Sequence, residues 1–385
     1  MACPVIHERG YREFSTRLHQ SGGSERLPLD GSVELTERCN LQCRHCYINA
    51  PAGDRDARNQ ELDRAAWDRL FGQFADAGCL WLLLTGGEPL LRDDFSDVYC
   101  DAKKRGLLVT LFSNGTLIDE RVADLLAEWP PFAVEISLYS SRPETYEQVT
   151  GVAGSFDRCL RGIELLRARH IPLRLKAMAM SLNVDDLDAT AAFACSLGVE
   201  FRFDPALNLR LDGSDAPRSL RLSPQQAFEL DRRDPARVAE WQRFCDRFLQ
   251  PPDDPNGLFN CGAGEGVFHV DARGQLYPCT MVRYRGYDLR SGSFADGWVR
   301  FLPELRAERR IRDSACQHCN LISLCGQCPG WAQLEHGDPE QPVDDLCQLA
   351  HLRAAAFARS AAAALSSNRT EGRDDPPAGR PPRVP

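Results

Sequence analysis

Cys39, Cys43 and Cys46 form a Cx3Cx2C run near the start of the chain. Thiolates spaced this closely can converge on one soft metal centre. Three of them suffice for three irons of a cubane and leave the fourth iron open to a chelating small molecule. Later cysteines repeat the theme: Cys261, Cys279, then Cys316-x2-Cys319-x5-Cys325-x2-Cys328, and finally Cys347. A zinc ion explains any single CxxC pair equally well. It explains poorly a triplet with an odd number of ligands. His45, between two of the first cysteines, reads as a passive neighbour. Cys79, Cys100, Cys159 and Cys195 fall in helical or strand patterns and read as buried small hydrophobes.

The elements that must position these residues follow from the hydrophobic pattern. Strands are expected at Ser32–Thr36, Leu80–Leu84, Leu107–Phe112, Phe132–Leu138, Pro172–Ala177 and Val199–Phe203, with helical periodicity between them. Six strand–helix units argue for a parallel sheet covered by helices, an α/β fold. They form either a partial barrel, with its chemistry at the C-terminal strand ends, or an open doubly wound sheet. The triplet follows the first strand. Thr85-Gly86-Gly87-Glu88-Pro89 ends the second, Ser113-Asn114-Gly115 the third and Glu135-Ile136-Ser137-Leu138 the fourth, while Lys176 lies on the fifth. Taken singly, such segments are ordinary turns. At successive strand ends they would line one face.

Beyond Asp204 the pattern breaks. Two short helices, Pro224–Arg233 and Pro235–Leu249, precede a Pro-rich stretch at 251–255. Gly266–Val270 and Gln275–Tyr277 flank a turn and read as a hairpin. The remaining cysteines lie in irregular chain, as expected of a small domain held by metal clusters. A helix is expected over Leu346–Leu365, and the last twenty residues have the composition of a disordered tail. Asn368-Arg369-Thr370 matches a glycosylation sequon by chance. The expected divisions are an N-terminal extension (1–30), a core (31–205), bridging helices (206–255), a cysteine domain (256–350) and a terminal helix with tail (351–385).

The 385 residues carry 46 Lys and Arg against 55 Asp and Glu, a mildly acidic balance. Nothing in it attracts nucleic acid or anionic lipid. No signal-peptide core opens the chain, and the longest apolar run falls far short of the ~18 residues a membrane span needs. Sixteen cysteines in a short secreted chain would suggest disulfides. Bunched in a large chain without an export signal, they point to metal, and a cytoplasmic location is expected.

With these motifs in order, the chain resembles the radical S-adenosyl-L-methionine (SAM) superfamily, and its last third resembles the SPASM domain of peptide-modifying members. The resemblance implies a partial (β/α)6 TIM-type barrel with a C-terminal cysteine-rich SPASM domain. Cys39, Cys43 and Cys46 would hold a 4Fe–4S cluster, and Tyr47 would cover the cluster or an adenine ring. Gly86 and Gly87 would let the backbone approach the methionine part of SAM, with Glu88 receiving its amino group. Ser113 and Asn114 would contact the ribose, and Ser137 would also touch SAM. Lys176 would pair with the SAM carboxylate, or be an ordinary barrel lysine paired to a carboxylate. The chain departs from many relatives in two places. Tyr139-Ser140 stands where an Asp-Gly pair is common, and an arginine expected about a dozen residues on is replaced near Gln148 and Val149.

The resemblance also implies one or two auxiliary iron–sulfur clusters. Cys316, Cys319, Cys325 and Cys347 would bind the outer one. Cys261, Cys279 and Cys328 would bind the inner one, its fourth position either filled by Cys245 or open to a substrate group. The implied chemistry is cleavage of SAM to a 5′-deoxyadenosyl radical that oxidises a peptide or small-molecule substrate. A thioether or carbon–carbon crosslink in a ribosomally made peptide is the first choice. Haem- or quinone-type biosynthesis, sulfatase maturation (opposed by Thr280 after Cys279, where an Asp is needed) and a non-catalytic iron–sulfur or zinc protein are the alternatives. A flavodoxin or ferredoxin would supply electrons. With only about thirty residues before the first strand, too few for a domain, a separate protein or the cavity itself would read a leader peptide. Asp204 and Asp271 are acid–base candidates by placement alone.

Overall fold

The computed structural model describes residues 10–48 and 50–358. Six strands lie parallel and side by side in chain order: β1 (Asp30–Glu34), β2 (Trp81–Thr85), β3 (Leu108–Ser113), β4 (Ala133–Ser137), β5 (Leu173–Met178) and β6 (Glu200–Asp204). A doubly wound sheet would reverse its order part-way, so the chain-order neighbours decide for barrel topology. Helices connect the strands, among them α1 (Arg64–Asp76) after β1, α2 (Phe95–Lys104) after β2 and α3 (Glu120–Glu128) after β3. Between β4 and β5 lie α4 (Pro143–Thr150) and α5 (Ser155–Ala168), and α6 (Leu187–Ser196) precedes β6.

Strand alternation sorts the side chains. Leu82, Leu84, Val109, Leu111, Val134, Ile136 and Leu175 are buried in the main core with the helices. Their neighbours Leu83, Thr85, Phe112, Ser137 and Lys176 line the interior instead. The helix starts are fixed locally: Asp63 accepts from Ala66 N, and Asp119 from Val122 N. Such caps satisfy backbone donors that the helix cannot.

The hairpin is present, as β7 (Val267–Val270) and β8 (Gln275–Tyr277), but it does not stand in a separate domain. β7 runs parallel to β1, Asp30 pairing with Val267 and Val33 with Val270, so one nine-stranded sheet spans both expected domains. Phe268, Leu276, Phe294 and Trp298 belong to the same apolar core as the barrel helices. Apolar faces on both sides of residue 256 need each other for burial, and spacing alone does not show that. The N-terminal extension carries a helix at Tyr11–Glu25, its His19 bonded to Asp30 at 2.6 Å and stacked on Trp81.

The bridging helices are α7 (Pro224–Arg233), opened by a Ser223–Gln226 capping box, and α8 (Pro235–Phe248). The terminal helix α9 covers Asp344–Phe357. The expected continuation to Leu365, the tail and the Asn368 sequon lie outside the described residues. Cys79 and Cys159 are buried as expected, whereas Cys100 is half-buried and Cys195 is exposed. The α6 face that carries Cys195 looks away from the sheet, which periodicity in a short Ala-rich helix does not reveal.

Candidate active site

The cysteine triplet sits in the loop after β1, and the chain secures that loop from three sides. Leading into it, Arg38 and Glu61 form a buried ion pair at 2.8 Å. Below it, Gly87 N donates to Thr36 O at 2.8 Å and Glu88 N to Arg38 O at 2.9 Å. Beside it, Gln42 N and Arg44 N donate to the Thr150 and Val149 carbonyls at the end of α4. Gly151 closes that helix with φ +69°, and a Cβ there would stand 2.9 Å from Gln42 O. The segment where an arginine was missing therefore serves as a backbone strap for the loop.

The paired glycines have a different first task from the one expected. A Cβ on Gly86 would meet Thr36 O at 2.3 Å, and one on Gly87 would meet Arg38 O at 2.3 Å. The space their missing side chains leave is filled by the chain that leads into Cys39. Both glycines still line the interior cavity. Glu88 lies inside the protein. It is 0% exposed, and its oxygens accept from Ser113 Oγ (2.9 Å), Asn114 N (2.7 Å) and Leu90 N (3.2 Å). Burial pushes its carboxyl up to about 7, against those three bonds. It staples the end of β2 to the end of β3, and it is not among the residues that line the cavity.

Asn114 carries that order to the cysteines. Its Nδ2 donates to Cys39 Sγ at 3.7 Å and to Asn40 Oδ1 at 2.9 Å, while Leu41 N donates to the same sulfur at 3.4 Å. Burial, helped by the Glu88 charge, pushes the Cys39 thiol up to about 12, and burial with its two cysteine neighbours raises Cys43 as well. Thiols raised in this way give up their protons when a metal ion binds them. Among the described residues no three His, Cys, Asp or Glu side chains are disposed to hold a single metal ion. Thiols that go to separate irons of a cubane do not need to be. The three soft donors, Cys43 buried and Cys39 and Cys46 half-buried, with two N–H groups aimed at the Cys39 sulfur, fit such a cluster.

Ser113, Asn114, Ser137 and Lys176 all line one cavity of about 880 Å³, together with the three cysteines. Lys176 is not the ordinary paired lysine. The carboxylate within reach, Glu135, is taken by Arg202 at 2.5 Å and Arg174 at 3.7 Å. Lys176 lies over the Phe112 ring and forms no ion pair among the described residues. Burial holds its pKa well below the usual range, Glu135 offsetting only part of this. His45 lines the cavity and packs edge-on against Tyr139, and its buried Nδ1 has no hydrogen-bond partner among the described residues. Burial lowers its pKa to about 4, so the ring is neutral.

The later cysteines assemble into two groups. Cys316, Cys319, Cys325 and Cys347 are mutual neighbours: burial first, then the other thiols' charges, raises Cys325 to about 12. Cys328 is raised to about 12 by burial and by Cys279 and Cys261. Cys245 joins neither Cys261 nor Cys279. It is buried in an apolar cluster with Phe228, Leu321 and Leu324, beside Cys319 and Cys325. The three-thiol group also differs from expectation in where it faces. Cys261 is exposed, and the cavity is lined at that end by Thr280 and Cys325 rather than by Cys261, Cys279 or Cys328.

Sequence reasoning missed the cavity's outer wall. Arg237, Trp241 and Phe244 of α8 and Arg353 of α9 line it. Asp231, 0% exposed, fixes Arg237 at 2.7 Å and Arg353 at 2.8 Å, and Arg353 stacks over Trp241 at 3.8 Å. The spacing of residues 237, 241, 244 and 248 marks one helix face and was the available signal. Of the acid–base candidates, Asp204 lines the cavity, whereas Asp271 accepts from Arg273 N and Gln275 N and shapes the hairpin turn. No helix among the described residues is long and apolar enough to cross a membrane.

A family model for the radical SAM superfamily matches residues 33–194. The mycofactocin maturase MftC of Mycolicibacterium smegmatis is 31% identical over 316 residues, covering 78% of this chain and 78% of the relative. Fe-coproporphyrin III synthase of Methanosarcina barkeri is 36% identical over 324 residues, covering 76% of this chain and 80% of the relative. In fold the chain is similar to Streptococcus suis SuiB bound to precursor peptide SuiA, with a TM-score of 0.66 at 16% identity, covering 91% of this chain and 84% of that one.

Proposed function

The chain belongs to the radical SAM superfamily, and from that premise we propose that it matures a ribosomally made peptide by forming a thioether or carbon–carbon crosslink, or by a related oxidation. A 4Fe–4S cluster with SAM would supply the family's chemistry when bound, reductive cleavage of SAM to a radical that takes hydrogen from substrate. In this reading Cys39, Cys43 and Cys46 hold the cluster, and Asn114 steadies the Cys39 sulfur. The backbone at Gly86 and Gly87, with Ser113, Asn114 and Ser137, lines the SAM end of the cavity. Lys176 receives a carboxylate there, and the buried His45 Nδ1 offers one more hydrogen bond.

The observation that carries the reading is the continuity of the cavity. It runs from the triplet to Thr280 and Cys325, so a substrate held in it spans from the first site to the C-terminal cysteines. Auxiliary iron–sulfur clusters at the two later groups would accept or relay the electron that the substrate radical must lose. A peptide substrate is supported by the maturase relative and by the fold shared with a protein bound to its precursor peptide. A small flavodoxin- or ferredoxin-like donor would reduce the first site. The Fe-coproporphyrin III synthase relative favours a second reading, modification of a tetrapyrrole.

The test is anaerobic reconstitution with iron and sulfide, followed by SAM and reductant. Formation of 5′-deoxyadenosine that rises on adding a short peptide encoded beside the gene, with loss of two hydrogens from that peptide, is the expected result. Stimulation by a porphyrin and by no peptide would replace the first reading with the second.

A further inference from the structure

We propose that Arg283 and Glu34 form a buried lock between the first cysteine loop and the Cys279 turn, and so position both thiol sites at once. The reading above supplies what the two sites hold; the lock itself rests on geometry. Glu34 ends β1 and is 1% exposed. Its Oε1 accepts from the hydroxyl of Tyr47, the residue directly after Cys46, at 3.0 Å. The same oxygen accepts from Arg283 Nη2 at 2.7 Å. From its Nε, Arg283 donates to the Thr280 carbonyl, one residue past Cys279, at 2.8 Å. Its guanidinium lies 4.8 Å from the centre of the Tyr277 ring, two residues before Cys279. One carboxylate and one guanidinium thus connect the immediate neighbours of Cys46 and Cys279.

His269, 0% exposed, completes the arrangement. Arginine only donates, so the contact at 2.9 Å makes His269 Nε2 the acceptor. The ring proton then sits on Nδ1, facing Ser32 Oγ at 2.7 Å. The imidazole is therefore neutral, and the Arg283 guanidinium faces two carboxylates, Glu34 at 2.7 Å and Asp271 at 4.0 Å. A buried ion pair contributes little net stability, and its best-attested use is to fix register. Here the register fixed is that between two short loops which no strand pairing joins directly. An electron passing between the two sites would cross a gap that this pair holds constant.

Alkylation of each cysteine in the metal-free protein, followed by mass spectrometry, reads the lock without any cluster. In Arg283→Met and Glu34→Gln, Cys46 and Cys279 should both label at least about tenfold faster, as local opening predicts. Cys325 and Cys347 should keep their wild-type rates. Acceleration at Cys279 alone, or equal acceleration at every cysteine, overturns the proposal. Should neither variant accumulate, Tyr47→Phe removes only the hydroxyl. It should speed Cys46 and Cys279 together, and an effect confined to Cys46 overturns the lock. Failure of the wild-type protein to take up iron would sink the cluster reading while leaving the labelling result intact.

Discussion

Glu88 and Gly87 show how a motif residue can serve by holding the protein rather than the ligand. In Glu88→Gln the amide must turn an NH2 toward Asn114 N–H or toward two other donors. The metal-free variant should lose about 1–3 kcal/mol of stability, as an unsatisfied buried donor costs, measured by denaturant unfolding. Weaker SAM binding with unchanged stability would instead return Glu88 to the ligand's side. Gly87→Ala places a Cβ against Arg38 O, and backbone there has no rotamer to move. That variant should fail to load iron at the first site while the C-terminal cysteines still load, seen as a partial loss of bound iron and the loss of SAM cleavage. The sequence made residue types and their order along the face legible, because Cys, Gly and Asn have few reasons to cluster at strand ends. It did not reveal which atoms were already spent, since Ser113 and Asn114, which bond Glu88, and Arg202, which takes the carboxylate near Lys176, come from other segments.

At the scale of elements, the six strands, both bridging helices and the hairpin were readable to within a residue or two, because their apolar periods are clean. Their assembly was less so. The segment 206–255 reads as linker by composition, yet α8 supplies a wall of the cavity. Trp241→Ala removes the face on which Arg353 stacks, 3.8 Å away. Turnover of the true substrate should fall about tenfold, equivalent to ~1.4 kcal/mol. SAM cleavage without substrate should not change, because the ring contacts of Trp241 are with Phe244 and Arg353 of the outer wall. A parallel fall in both rates would show that α8 supports the whole core instead of the substrate.

Over the whole molecule, one nine-stranded sheet includes strands from both sides of residue 256. A chain ending at 255 loses β7, β8 and the core aromatics Phe268, Phe294 and Trp298. It should show no cooperative thermal transition by near-ultraviolet circular dichroism, whereas an independent barrel would melt sharply. Charge ties the same parts together. Burial alone would raise Glu34, but the charge and hydrogen bond of Arg283 oppose it, and the carboxyl is held at about 2. A depressed carboxyl stabilises the fold above its unfolded value of about 4.5 and loses that contribution as pH falls toward 2. Metal-free wild-type protein should therefore lose about 3 kcal/mol over that window. Glu34→Gln should lose less, as followed by far-ultraviolet circular dichroism.

The pairing of β1 with β7 also sets a clock at the ribosome. β1 emerges early and leads straight into Cys39, but its partner strand follows about 230 residues later. At ordinary synthesis rates that is roughly 10–50 s during which the strand has one raw edge. Nascent chains of this protein should therefore be unable to accept iron, and a cell that delivers it must do so to finished polypeptide.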